Sequence, residues 1–330
     1  MRCDEQPRRH RHQGGPHRPE DEFNTIETIA RANAGGEDAE GFRLLGRNPK
    51  INDQRQVSFW AALPGSGGEI IARRRTGPLT VIARTEPVDG QGGEYEFFGV
   101  DTTINLFGTV AFRGELDNGD LGMWSGRGGA ITTHYLDSEG RFGGSFNGVA
   151  INDLGQIAFE ETQDGDNGMF RGRRGRFVTI ADEPGAFFDP SINERGRAAF
   201  YQDHFVGDEQ VFAVVTGRAG PLTTVADTTG PFSSFGFRGP SINNGGDVAF
   251  LAELDSNEFP PPSAIFTGPD VVNDRVIGSG DTLDGDTISS LTFCEEALNA
   301  SGQLAFTAFF EDPETFELRT AVFRATPVGR

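Results

Sequence analysis

One ten-residue pattern recurs six times along the chain, and it constrains the fold more than any other feature. It reads Lys50-Ile-Asn-Asp-Gln-Arg-Gln-Val-Ser-Phe59, Thr103-Ile-Asn-Leu-Phe-Gly-Thr-Val-Ala-Phe112, Ala150-Ile-Asn-Asp-Leu-Gly-Gln-Ile-Ala-Phe159, Ser191-Ile-Asn-Glu-Arg-Gly-Arg-Ala-Ala-Phe200, Ser241-Ile-Asn-Asn-Gly-Gly-Asp-Val-Ala-Phe250 and Ala297-Leu-Asn-Ala-Ser-Gly-Gln-Leu-Ala-Phe306. The Asn residues are Asn52, Asn105, Asn152, Asn193, Asn243 and Asn299, separated by 53, 47, 41, 50 and 56 residues. A repeat of this length is one supersecondary unit that must bury its apolar face against its neighbours.

Each recurring position has a local reason. Asn suits the first position of a tight turn, because its side chain bonds the backbone two residues on. Gly three residues later supplies the positive φ that closes a hairpin. The pattern therefore reads as strand, turn, strand. In Val-Ala-Phe the Val and Phe share one face and Ala takes the other, so both faces are apolar, as in a strand covered on both sides. The first copy has Arg55 in place of Gly and Ser58 in place of Ala, so its turn is expected to be looser.

Two more strands follow each core. The first comprises 69–73, 122–126, 168–172, 210–214, 264–268 and 321–325, and the second 78–83, 130–134, 176–181, 221–226 and 274–278. The sixth unit ends without its fourth strand, but Thr25-Ile-Glu-Thr-Ile-Ala30 near the N-terminus matches the missing one. A linear array has no reason to begin on the last strand of a unit, whereas a closed ring does. Four strands per unit at this period predict an all-β fold, a six-bladed β-propeller closed by the N-terminal strand completing the last blade. The expected division is a disordered basic tail over 1–22 and one propeller domain over 23–330. Within the tail Arg and His (His10, His12, His17) stand in place of apolar residues.

The tandem Asn-x-x-Gly-x-x-Ala-Phe motif resembles the bacterial choice-of-anchor NxxGxxAF tandem-repeat proteins over roughly residues 25 to 325. That resemblance implies an exported or surface protein, often with a C-terminal sorting segment of the Pro-Glu-Pro type, and so an extracellular or cell-envelope location. It implies no known reaction and no catalytic residues. This sequence departs from the pattern at both ends: no apolar signal core follows the basic start and no sorting tail follows Arg330, so a cytoplasmic location stays open.

Charge carries the remaining information. There are 29 basic residues against 49 acidic, a net of −20, which argues against general nucleic-acid binding. No apolar run is long enough for a transmembrane helix, and 2 Cys make neither a disulfide framework nor a zinc cluster. Propeller topology converts sequence position into rim. The Asn turns and the loops between third and fourth strands share one rim, rich in Arg (Arg73, Arg74, Arg75, Arg127, Arg171, Arg173, Arg174, Arg176, Arg218). The opposite rim is expected to be acidic, with the blade-to-blade links adding Glu139, Asp137, Asp182, Asp227 and Asp281. Arg74, Arg127, Arg173 and Arg218 are candidates to meet an anionic polymer or surface. Asp137, Asp182, Asp227 and Asp281 are candidates to gather cations or a basic partner. The competing explanation is that loops are polar and the acid excess keeps the chain soluble.

Short motifs add little. Asp164-Gly-Asp-Asn-Gly168 and the 281–286 segment alternate carboxylates with Gly, as calcium loops do, but neither completes the twelve-position loop with its terminal Glu; Ca²⁺ is the one cofactor they bring to mind, and turn chemistry explains them. His134 beside Asp137 and His204 beside Asp203 are possible general bases if a pocket exists. Cys294 is expected in a first strand near the axis, with its reactivity open. The reading is a monomeric, non-enzymatic binding or scaffold propeller for an unknown protein or polysaccharide. The alternative is a carbohydrate-active hydrolase or lyase using carboxylates of the acidic rim. An enzyme would gather two or three carboxylates with His or Arg in a deep axial pocket, and a binding module would present a broad rim.

Overall fold

The computed structural model describes residues 42–45, 49–52, 54–63, 69–75, 77–85, 95–143, 148–163, 166–182, 184–283, 285–311 and 318–327, together with Ala30. Six antiparallel sheets follow one another around a ring, making a six-bladed β-propeller. Blade 2 runs Tyr95–Ile104, Val110–Leu116, Leu121–Gly126 and Thr132–Leu136 in simple up-and-down order. Blade 3 (Val149–Ile151 to Arg176–Ala181) and blade 4 (Ala186–Ile192 to Thr223–Asp227) repeat that order. In blades 1 and 5 the first strand is broken into two short pieces, Leu44–Leu45 with Lys50–Ile51 and Phe232–Phe235 with Ser241–Ile242. Blade 6 has three strands among the described residues, Ser290–Thr292, Leu304–Glu311 and Leu318–Ala325. The expected closing strand and the tail over 1–22 lie outside the described residues except for Ala30, which packs against the apolar cluster of blade 1.

The Asn turns form as their chemistry requires. The N–H three residues on bonds each Asn carbonyl at 2.9–3.0 Å, and the glycines there (Gly108, Gly155, Gly196, Gly246, Gly302) have φ of 68–93°. The first turn is not looser. Arg55 adopts φ 61° and keeps the same bond, Arg55 N–H to Asn52 carbonyl at 2.9 Å. The Asn52 side chain holds it by accepting from the Gln54 and Gln56 N–H groups, which offsets the left-handed backbone of a non-glycine residue.

Successive blades pack through the two faces of the second strand. Phe112, Phe159, Phe200 and Phe250 are fully buried and face the preceding blade. Each contributes about 2–3 kcal/mol of burial. The small Ala111 and Ala199 face the following blade, leaving room for its Phe. Five apolar clusters fill the seams from blade 1–2 to blade 5–6. At the blade 6–1 seam the one described residue of the expected closing strand, Ala30, packs into the blade 1 cluster.

A second device ties the blades near the axis. Each Asn side-chain amide donates to the main-chain carbonyl of the next blade's Asn: Asn52 to Asn105 (2.7 Å), Asn105 to Asn152 (3.0 Å), Asn152 to Asn193 (3.1 Å), Asn193 to Asn243 (3.0 Å) and Asn243 to Asn299 (3.2 Å). The same residue thus shapes its own turn through its oxygen and grips its neighbour through its nitrogen. Asp could do only the first. Among the described residues Asn299 makes no such bond to blade 1; its amide is exposed and turns to its own Gln303 at 3.0 Å. The next residue of three turns adds a parallel set, with the Leu106, Asp153 and Glu194 N–H groups donating to the side chains of Asp153, Glu194 and Asn244.

Candidate functional site

The Asn belt surrounds a depression of about 190 Å³ at one end of the axis, lined by all six blades. Behind the belt, Ile104, Ile151, Ile192 and Ile242 also line it, so the mouth is polar at its lip and apolar below.

Further along the first strands, charged side chains converge that sequence reasoning did not single out. Asp101, Asp189 and Glu295 each stand four residues before the Asn of their blade, and Arg238 stands five before. Lys50 and Glu295 form an ion pair at 2.7 Å across the blade 6–1 seam. Arg238 and Asp101 approach to 3.8 Å, and the Thr103 hydroxyl donates to Glu296. Burial works against the Lys50 ammonium, but Glu295, with Cys294 and Glu296 beyond it, holds it above the usual lysine range. Asp189 has no hydrogen-bond partner among the described residues. Burial, with Glu295 and Asp101 nearby against Arg238 and Lys50, pushes its carboxyl up to about 6. Its backbone is left-handed (φ 48°), and a Cβ on Gly239 would fall 2.0 Å from its carbonyl oxygen, so the blade 5 chain passes here only as glycine. Burial raises the Cys294 thiol above its ordinary value, with Lys50 pulling the other way, so it is a poor thiolate at neutral pH. A shared offset from the Asn was the signal that could have found this set.

The acidic-rim candidates do not converge. Asp137 accepts from the Leu121 N–H (3.1 Å), Asp227 from the Thr229 N–H and hydroxyl, and Asp182 is exposed just past its strand. Asp281 is held by Arg275 at 2.8 and 2.9 Å and by the Gly278 N–H, so a calcium ion there would have to displace a guanidinium. Among the described residues no three His, Cys, Asp or Glu side chains stand together as metal ligands. Glu139, expected on the acidic rim, lines the same hollow as Arg174, because its link folds back over the blade 3 hairpin, where Arg141 bonds the Gly175 and Phe177 carbonyls.

His134 is buried, with Nε2 2.9 Å from Ser125 Oγ, and burial beside Arg174 and Arg173 pulls its pKa down to about 4. It is neutral at physiological pH. His204 Nδ1 is likewise enclosed without a partner among the described residues. Arg113, Glu161 and Tyr135 make a buried polar brace between blades 2 and 3, with Arg113–Glu161 at 2.7 Å and the Tyr135 hydroxyl donating to Glu161.

The Arg-rich rim has internal order. Arg73, half-buried at the end of the blade 1 third strand, donates to the Arg127 carbonyl of blade 2 at 3.1 Å. Two blades on, half-buried Arg171 donates to the Arg218 carbonyl of blade 4 at 3.0 Å. Burial, then the neighbouring Arg127 or Arg218, lowers the pKa of Arg73 and Arg171. Arg173 donates to the Leu154 carbonyl in an Asn turn at 2.9 Å, which puts these loops and the turns on one rim. Arg74 instead lines a hollow within blade 1 beside Phe42 and Arg84. In blade 5 the corresponding loop carries Asp270 and Asp274, so the basic stretch is an arc over blades 1–4 and not a full rim.

An antiparallel ring of six blades with an axial mouth is a β-propeller, the class this architecture defines. Residues 17–323 match the Family of unknown function DUF7453, and the chain belongs to that family. No curated protein matches it in sequence. Solved structures similar to it include TolB from Acinetobacter baumannii (11% identity, TM-score 0.45, covering 67% of this chain and 51% of that one). They also include the six-bladed, fucose-recognising fungal lectin of Aleuria aurantia (13%, TM-score 0.42, covering 83% and 89%) and AofleA from Arthrobotrys oligospora (11%, TM-score 0.44, covering 87% and 85%). The aligned part thus spans about half of the Acinetobacter TolB chain. Among the described residues no helix is long and apolar enough to cross a membrane.

Proposed function

We propose that this protein is a non-enzymatic binding or scaffold module, a single propeller domain over residues 23–330 that offers its rims to a protein or polysaccharide partner at the cell envelope. The envelope location rests on the resemblance of its Asn-x-x-Gly-x-x-Ala-Phe repeats to exported tandem-repeat proteins. One observation carries the binding reading: apart from the half-buried Asp189 and the exposed Asp182, the carboxylates singled out on the rim and at the axis are already engaged. Asp137 accepts from the third strand of its blade, Asp227 and Asp281 are tied into their own turns, and Glu295 and Asp101 face Lys50 and Arg238. What stands free is a rim of loops on a ring braced by Asn-to-carbonyl bonds. The test is a glycan, metal-ion and protein binding screen on the purified chain, read by thermal shift and direct titration. Failure of every candidate to bind would sink the reading.

A second reading, a hydrolase or lyase, is favoured by the axis, since three carboxylates and an arginine meet there. Asp189 near pKa 6 beside Glu295 has the character of a general acid or base. It moves the alternative from the rim carboxylates to the axial ones. Turnover of any polysaccharide that Asp189→Asn abolishes, with the fold intact, would establish it.

A further inference from the structure

We propose that the arginine arc over blades 1–4 is a recognition surface for an acidic polysaccharide, a flexible chain carrying one carboxylate per sugar. This rests on the binding reading above and names the surface and ligand class within it. The core observation is a two-arginine unit built twice. Arg73 reaches across the blade 1–2 seam to the Arg127 carbonyl, and Arg171 reaches across the blade 3–4 seam to the Arg218 carbonyl. In each unit a half-buried guanidinium is anchored on main chain while a second, exposed one stands beside it. Gly108 and Gly196 mark the same spot in both units, since a Cβ there would meet Arg73 Nη1 at 3.0 Å and Arg171 Nη1 at 2.9 Å.

These cations sit together at a cost. Burial, and then the neighbouring Arg127 or Arg218, lowers the pKa of Arg73 and Arg171, and the chain carries a net −20 with acids to spare. Even so, among the described residues Arg73, Arg127, Arg171, Arg173, Arg174 and Arg218 form no ion pair with a carboxylate. Guanidinium groups left unpaired in an acidic protein, anchored so that further N–H donors stay available, suit bidentate capture of carboxylates. Between the two units Phe107 (48% exposed) and Leu154 (57%) rise from the Asn turns and offer apolar contact to a sugar ring.

The flanks decide the polymer. Asp153 and Glu194 lie in the turns within the arc, and Asp270 and Asp274 close its blade 5 end. A nucleic acid duplex, with about one charge per 1.7 Å, would lay phosphates over those carboxylates. A flexible chain of low charge density can touch the arginines and avoid them. An acidic peptide would gain from pairing with an open strand edge, and this rim presents turns only.

The test titrates the full chain with alginate oligosaccharides, with neutral dextran, poly-L-glutamate and a single-stranded oligonucleotide as parallel arms, at about 50 and about 200 mM salt. Alginate is expected to bind and to weaken with salt. It should bind at least about tenfold more weakly to R127A/R218A, and also to R73A/R171A, while D182N on the other side leaves it unchanged. Circular dichroism and melting temperature check that the variants stay folded. Absence of alginate binding, equal binding by the folded variants, or tighter binding of poly-L-glutamate or the oligonucleotide overturns the proposal. If the chain then binds a different glycan or a protein regardless of these arginines, the arc is wrong and the broader binding reading stands.

Discussion

Among the described residues, five of the six seams between blades share one pair of contacts, and the sixth shows a different one. From blade 1 to blade 6 each junction has an apolar cluster and an Asn amide donating to the next blade's carbonyl. At the blade 6–1 seam no such Asn bond is present among the described residues, and the chain's only lysine, Lys50, pairs with Glu295 instead. Lys50 and Glu295 belong to segments 245 residues apart, so this contact is one that only ring closure brings about.

The comparison breaks most directly at the belt. Asn193→Asp keeps the turn acceptor but removes the donor and sets a buried carboxylate against the Asn243 carbonyl. It should lower stability by about 3 kcal/mol, and Asn299→Asp by well under about 1. Urea denaturation of both variants measures the gap; equal losses would mean that the inter-blade bond contributes nothing. Next in size is Lys50→Met, which leaves Glu295 unpaired and should cost about 2 kcal/mol, with Glu295→Gln in the same background restoring most of it. A double-mutant cycle checks the coupling.

Asp189 gives the seam's axial neighbourhood a pH dependence. Its folded pKa of about 6 lies above the unfolded 3.8, so its contribution is complete below about 3.8 and is lost as pH rises through about 6. That amounts to about 3 kcal/mol, which Asp189→Asn should abolish. His134 acts in reverse: held at about 4 against 6.5, it favours the fold above 6.5 and loses that as pH falls toward 4. Melting curves between about pH 4 and pH 7 on each single variant separate the two slopes. The smallest effect is at Arg55, where glycine would relieve the φ of 61° and stabilise by about 0.5 kcal/mol, seen as a slightly raised melting temperature.

Much of this was legible in the sequence because it is local. The Asn-x-x-Gly turns, the third strands and the both-sides-apolar second strands follow from turn chemistry and alternation within ten residues, and they lie where expected. Arg55 misled, because a glycine-less turn looks weak until the Asn side chain is seen to hold it. The rim acids misled similarly: Asp281 reads as a ligand in sequence and is an arginine's partner in space. Asp101, Asp189, Arg238 and Glu295 were illegible as a group, since each comes from a different blade and only the ring brings them together.

The sequence by itself determined the unit, its strand order and its number, because each depends on hydrogen bonds and side-chain alternation within one blade. Tertiary structure alone decided what the recurring Asn does with its amide nitrogen, which charges face one another at the axis, and that the arginines form an arc ended by Asp270 and Asp274. Those are contacts between segments some 40 to 245 residues apart, and no local rule fixes the distance across a ring.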